Sequence, residues 1–183
     1  MKINTNTIGK FVVVVVVVTS LSLITALISI DYLSSASVFA VPSEGQQKKF
    51  SAQLSGDQEV PLVQTNASGT AWFKSNRDNL EFELNVTDLQ GITIAHIHNG
   101  KQGELGPPVL PLYKSESPTI LMNGKLASGN ITANMLEGPM MGKQIANLTT
   151  AVKNSETYVN VHTQQNPNGE IRGQIIISNS TTN

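Results

Sequence analysis

The stretch LEFELNVTDL, Leu80 to Leu89, repeats every second residue: Leu80, Phe82, Leu84 and Val86 fall on one face of an extended chain, with Glu81, Glu83, Asn85 and Thr87 on the other. A helix would scatter those four apolar residues around its circumference, so the pattern predicts a β-strand with one wet face. One such strand is not stable alone, and the chain must supply partners for it. They are present as short extended stretches in FSAQL, GTAWFK, GITIAHIH, SGNITA, TYVNVHT and IRGQIII, separated by turn-rich segments such as SNRDN and NPNG. Many short, half-polar strands predict an all-β antiparallel sandwich or barrel. A single stretch breaks the period. In KQIANLTTAVKN, Ile145, Leu148 and Val152 follow helical spacing, which predicts one short helix covering an end of the fold.

The strands begin only after a different kind of segment. Lys2 and Lys10 precede the apolar run FVVVVVVVTSLSLITALISI, and SVFA follows, with small residues where a signal peptidase reads. Residues 1–40 are therefore expected to be a signal peptide cleaved after Ala40, or alternatively a retained membrane anchor. The positive charges lie before the run, so either reading puts the remainder outside the cytoplasmic membrane, secreted or at the cell surface. Residues 41–48 read as a polar linker, 49–178 as one domain and 179–183 as a disordered tail.

An exported chain without cysteine has neither disulfides nor thiolate metal ligands, so stability must come from apolar burial and backbone pairing. Arg77 and Arg172 are the only arginines and no basic cluster exists, which argues against nucleic acid as a partner. Membrane contact is expected only through the N-terminal segment, if it is uncleaved. Five sequons, at Asn66, Asn85, Asn130, Asn147 and Asn179, are candidate glycosylation sites. Motifs for catalysis are missing from the sequence: there is no G-x-S-x-G elbow and no phosphate-cradling loop, and Glu59, Glu104 and Glu170 are too separated to argue a glycosidase carboxylate pair. Trp72, the sole tryptophan, suits a partly buried sheet position better than a recognition platform.

The chain's three histidines are the remaining chemistry. In GITIAHIHNG the alternation puts Ile92, Ile94, His96 and His98 on one face and Thr93, Ala95 and Ile97 on the other. Both faces carry apolar residues, which predicts half-desolvated histidines, and such surroundings favour the neutral imidazole that binds metals. Positions i and i+2 of a strand lie ~6.5–7 Å apart, close enough for two imidazoles to share one ion. In TYVNVHT, Val159 and Val161 oppose Tyr158, Asn160 and His162. If the histidine faces coincide, His162 supplies a third nitrogen, and three imidazoles without thiolate suit copper or zinc. A shared ion requires nitrogens within about 4 Å of one another. The competing reading needs no ligand: Asn160, His162, Glu170 and Arg172 would form a buried polar network that holds the last hairpin, with NPNG as its turn.

Three blocks, LSGDQEVPLVQTNASGTAWF, AHIHNGKQGELGPPVLPL and YVNVHTQQNPNGEIRGQI, together resemble the chordin-type (CHRD) domain in its single-copy exported microbial form. The resemblance covers nearly all of 49–178, with the blocks in the family's order; Asn99 stands where a glycine often follows the second histidine directly. It implies an antiparallel Greek-key-like β-sandwich, immunoglobulin- or superoxide-dismutase-like, working outside the cell. It carries motif positions onto Glu59, Val60 and Pro61; onto His96, His98 and Gly100; and onto Tyr158, Asn160, His162, Gly169, Glu170, Arg172, Gly173 and Gln174. The strand pattern His-x-His also resembles the copper ligands of copper/zinc superoxide dismutase, but three histidines are too few for a two-metal site. Two functions are expected from all this: a non-enzymatic binding module for an extracellular protein or glycan, or a mononuclear copper or zinc protein. In the second, His96, His98 and His162 are the ligands, with Glu59, Asn160, Glu170 and Arg172 as outer partners or structural network.

Overall fold

A computed structural model of the chain describes residues 47–117 and 120–178. The expected signal or anchor over 1–40, most of the linker and the tail at 179–183 lie outside the described residues. Within them the elements run β1 (Lys49–Ser55), β2 (Ser68–Ser75), β3 (Leu80–Leu89), β4 (Ile92–Asn99), β5 (Pro108–Lys114), β6 (Met122–Ile131), α1 (Ile145–Lys153), β7 (Thr157–Thr163), β8 (Ile171–Gln174) and β9 (Ile176–Ile177). Short 3-10 turns interrupt the connections at Gly56–Gln58, Ala133–Met135 and Gly138–Met140.

Every strand pairing is antiparallel, in the order β5-β4-β7-β8-β1-β2-β3-β6, with β9 added to β1. The end strands β5 and β6 touch without being hydrogen-bonded to each other, so the sheet curls into a nearly closed, barrel-like form. The expected antiparallel all-β class with one short helix is therefore present, as a single continuous sheet.

The period-two reading of the first strands holds residue by residue. Phe50, Ala52 and Leu54 of β1, Ala71 and Phe73 of β2, and Leu80, Phe82, Leu84 and Val86 of β3 are all buried in one core. Burying each of the larger side chains contributes roughly 1.5–3 kcal/mol. The same core takes in Ala95 and Ile97 of β4, Val159 and Val161 of β7, and Ile171 of β8. Helix α1 adds Ile145, Leu148, Ala151 and Val152 from one face. Its start is fixed by a reciprocal cap between Gln144 and Asn147, and Lys153 lies in the last turn, where a cation complements the helix dipole.

Two departures from simple alternation matter for function. Opposite β7, Ile92 pairs with Thr163 and Ile94 with His162, so β4 carries one extra residue there. That bulge turns Ile92 into the core together with Ala95 and Ile97, whereas the alternation had placed it beside the histidines. The second is β5, which contains Pro108 and Pro111 and pairs with β4 through two register shifts. It lies at an end of the strand order, where prolines are tolerated in a sheet.

A candidate metal centre under the loops

Strands β4, β7 and β8 lie side by side. Their pairing puts His98 beside Tyr158 and Gln174, His96 beside Asn160 and Arg172, and Ile94 beside His162. Directly paired residues share a face, so these side chains form one polar surface on the side of the sheet opposite Ala95, Ile97, Val159 and Val161. Such a face is ordinarily left to water. Here Tyr158, Asn160 and Arg172 are 1–2 % exposed and His98 is 8 % exposed, because connecting loops fold over them.

Buried polar groups must find partners, and the loops supply backbone ones. His98 Nδ1 lies 2.8 Å from the Gly106 carbonyl oxygen, and His162 Nδ1 lies 3.0 Å from that of Pro167. Both rings are thereby set with Nδ1–H donating to a carbonyl. Arg172 donates to the Lys101 carbonyl at 2.9 Å, and its guanidinium stands 3.5 Å from the centre of the Tyr158 ring. On its β4 side the same tyrosine stacks with His98, ring centres 5.0 Å apart and planes within 15°. Its hydroxyl accepts a bond from the Gly106 amide. Gln174 donates to the carbonyls of Gly100, Ser155 and Thr157. Gly106 leaves no alternative for its position, since a Cβ there would lie 1.6 Å from the Asn99 carbonyl oxygen.

The three imidazoles meet at the middle of this surface. Each pair of ring centres is 5.7 Å apart, and one nitrogen from each ring lies within 4.8 Å of the others. Nε2 of His98 and Nε2 of His162 are buried and accept no hydrogen bond. Burial pushes the pKa of all three rings down, that of His96 to about 4, with the neighbouring rings adding to the effect on His96. All three are neutral at pH 7, with lone pairs free. The set is looser than the ~4 Å expected of a filled site. Two nitrogens ~2.0–2.1 Å from one ion in tetrahedral geometry stand about 3.4 Å apart, so binding would draw the rings inward by about 1 Å. Small χ rotations of three side chains that share one face suffice for that.

The remaining expected residues divide into two groups. Glu59 packs at the inner side of the last hairpin, where its Oε1 and the Asn160 Oδ1 are buried without partners. A Cβ on Gly169, whose φ is +131°, would lie 2.6 Å from Glu59 Oε1 and 2.5 Å from the Asn160 amide. Burial pushes the Glu59 carboxyl up to about 7, against the opposing pull of the Arg172 charge and the Asn160 amide. Glu170 belongs elsewhere: Thr65 and Thr163 donate to its two oxygens at 2.9 and 2.6 Å. The expected network joining Glu170 to Arg172 is not formed, since among the described residues no carboxylate lies within 4.0 Å of the Arg172 nitrogens. The NPNG turn does hold β7 against β8.

Sequence reasoning named Tyr158 only as a motif position and passed over Gly106, and also Glu137, whose Oε1 is 3.8 Å from His96 Nε2. Of the sequon asparagines, Asn66, Asn130 and Asn147 are exposed, Asn85 is half-buried and donates to Glu83, and Asn179 lies outside the described residues. Trp72 sits on the outer face of β2, 43 % exposed.

The family described as the CHRD domain matches residues 50–175. The chain belongs to the CHRD family. That match takes in the whole polar face and the loops over it. Chordin of Xenopus laevis is 29 % identical to this CHRD chain over 142 residues, a stretch that covers 73 % of the chain and 13 % of chordin. No solved structure matches.

Proposed function

We propose that this CHRD chain is an exported, non-enzymatic binding module whose functional centre holds one metal ion, copper first and zinc second, on His96, His98 and His162. Export is supported by the N-terminal pattern of Lys2 and Lys10, the long apolar run and SVFA. The observation that carries the metal reading is the orientation of the rings. Carbonyls hold Nδ1 of His98 and His162, and the free Nε2 atoms are buried with nothing to accept from, in a cluster where one nitrogen of each ring lies within 4.8 Å of the others. That is the arrangement in which outer partners fix the tautomer of metal-binding histidines. Two buried acceptors left bare cost about 1–3 kcal/mol each, and a cation removes the cost. The donors fit copper and zinc: three neutral nitrogens, no proton to displace at pH 7, and no all-oxygen shell of the kind that calcium or magnesium requires. The bound ion would suit storage, delivery or redox chemistry. Membership of the CHRD family supports a wider role in binding an extracellular protein or glycan.

Titration of the metal-free protein with copper, followed by equilibrium dialysis, tests the site. Wild type is expected to take up one equivalent and His98→Ala none at the same free copper. Uptake of neither copper nor zinc by a folded wild type would refute the metal reading and leave the cluster as a structural network.

A further inference from the structure

Glu137 is the acidic residue that the fold delivers to the histidines, and nothing in its local sequence marks it. It sits between the 3-10 turns Ala133–Met135 and Gly138–Met140, with Leu136 and Met140 anchored in the core on either side. Its own amide donates to the Val109 carbonyl of β5 at 2.9 Å. Gly138 follows at φ +53°, where a Cβ would lie 2.5 Å from the Pro108 carbonyl oxygen, so the turn is clamped against β5 at two adjacent points. Because β5 pairs with β4, with Pro111 opposite His96, this clamp brings the Glu137 side chain to the His96 edge of the cluster, just outside the group of three nitrogens that lie within 4.8 Å of one another.

The carboxylate stops 3.8 Å short of His96 Nε2. That is too long for a hydrogen bond. It is close to the separation of about 3.3 Å between a nitrogen and an oxygen that bind the same ion tetrahedrally at ~2.0–2.2 Å. The Glu137 side chain is 38 % exposed and that of His96 15 %, so the carboxylate stands on the solvent side of a site whose other two ligands lie deeper. With His96 neutral at pH 7 the two groups form no ion pair, so their contact gives folding no reason to clamp the turn so tightly.

We infer that Glu137 is the fourth, carboxylate ligand of the three-histidine site and biases it towards a divalent ion. The inference rests on the metal reading above and adds to it both a ligand and a selectivity. Three neutral imidazoles leave the full charge of the ion uncompensated. One carboxylate lowers that charge by one, and its attraction to a divalent ion is twice that to a monovalent one at the same distance. A carboxylate oxygen is also a poor ligand for soft Cu(I) and a good one for Cu(II) and Zn(II).

Affinities for Zn(II), Cu(II) and Cu(I), measured by competition with chromophoric chelators, separate this inference from the parent reading. In Glu137→Gln, binding of Zn(II) and Cu(II) is expected to weaken at least tenfold and that of Cu(I) by less than threefold. A tenfold difference between the two copper states raises the Cu(II)/Cu(I) potential by about 59 mV. Glu137→Ala should behave in the same way, which excludes rescue by the glutamine carbonyl. Unchanged divalent affinity, or an equal loss for all three ions, overturns the inference while His98→Ala still reports on the three histidines. A folded wild type that binds none of the ions overturns both.

Discussion

Glu59→Gln isolates the cost of burying a carboxylate beside this site. Glu59 is 6 % exposed, its Oε1 has no hydrogen-bond partner, and the nearest backbone, at Gly169, leaves no room for it to swing away. Desolvation raises its carboxyl from 4.5 to about 7 in the folded protein, so the folded state holds the proton more tightly than the unfolded chain. Stability from this group is therefore full below pH 4.5, falls as pH rises, and is gone once pH has passed about 7. At about 1.4 kcal/mol for each tenfold change in proton affinity, the whole effect is about 3 kcal/mol, of which about 2.5 kcal/mol is lost between pH 5 and pH 8. Glutamine keeps the shape and never ionises. Urea unfolding of metal-free wild type and Glu59→Gln at pH 5 and pH 8 should show the difference between them moving by about 2.5 kcal/mol in favour of the variant at the higher pH. The histidines titrate in both proteins, so their contribution cancels in the difference. A difference that stays constant from pH 5 to pH 8 would mean that Glu59 is ionised and satisfied throughout, and the reasoning fails.

The histidines should show the opposite slope. The pKa of His96 is depressed from 6.5 to about 4, so its contribution to the metal-free protein is full above pH 6.5 and is lost as pH falls through about 4. Wild type compared with His96→Asn should lose up to about 3 kcal/mol of relative stability over that range, measured by urea unfolding in the presence of a chelator. Gly106→Ala should cost more than about 3 kcal/mol, because the new methyl meets the Asn99 carbonyl oxygen at 1.6 Å and the loop must leave the face. His98 then loses its carbonyl partner, so copper uptake should weaken together with stability; a fully stable variant would refute this account of the loop.

The all-β class was legible because strand faces are local. In β3 four apolar residues alternate without interruption, and each of them is buried. The illegible parts are those decided by distant partners. Nothing in PVLPLYK announces a strand, since Pro108 and Pro111 each remove a ladder donor; β5 exists because β4 offers it an edge. Nor does periodicity carry any mark of a bulge, so Ile92 was assigned to the wrong face. The histidine assignment survived because the bulge precedes His96 and His98 in the chain. His162 could be placed on a face from TYVNVHT, but its meeting with His96 depends on the register of β7 against β4, which the core pairs Ala95–Val161 and Ile97–Val159 fix. Glu137 reaches the cluster from a turn on the far side of β5, where no spacing rule connects it to a histidine.

The choice between a structural network and a ligand site then turns on where the missing partners are. A network that serves only to hold loops should satisfy itself throughout, because each bare buried atom works against it. On this face the atoms directed at the loops are satisfied: Nδ1 of His98 and His162, the Arg172 donor to Lys101, and the Gln174 amide with three carbonyls. Bare atoms include two acceptor pairs, the Nε2 atoms of His98 and His162 and the oxygens of Glu59 and Asn160, beside Gln174 Oε1, Thr157 Oγ1 and one nitrogen of Arg172. For the second pair a proton is enough, since a neutral Glu59 can donate to Asn160. The imidazole pair has no such remedy, because both rings already place their one proton on a loop carbonyl and burial opposes a second. A cation satisfies both nitrogens without breaking the bonds that hold the loops, and so does a bridging water that donates to each; copper uptake by the wild type, compared with His98→Ala, is the measurement that separates a site from a hydrated scaffold.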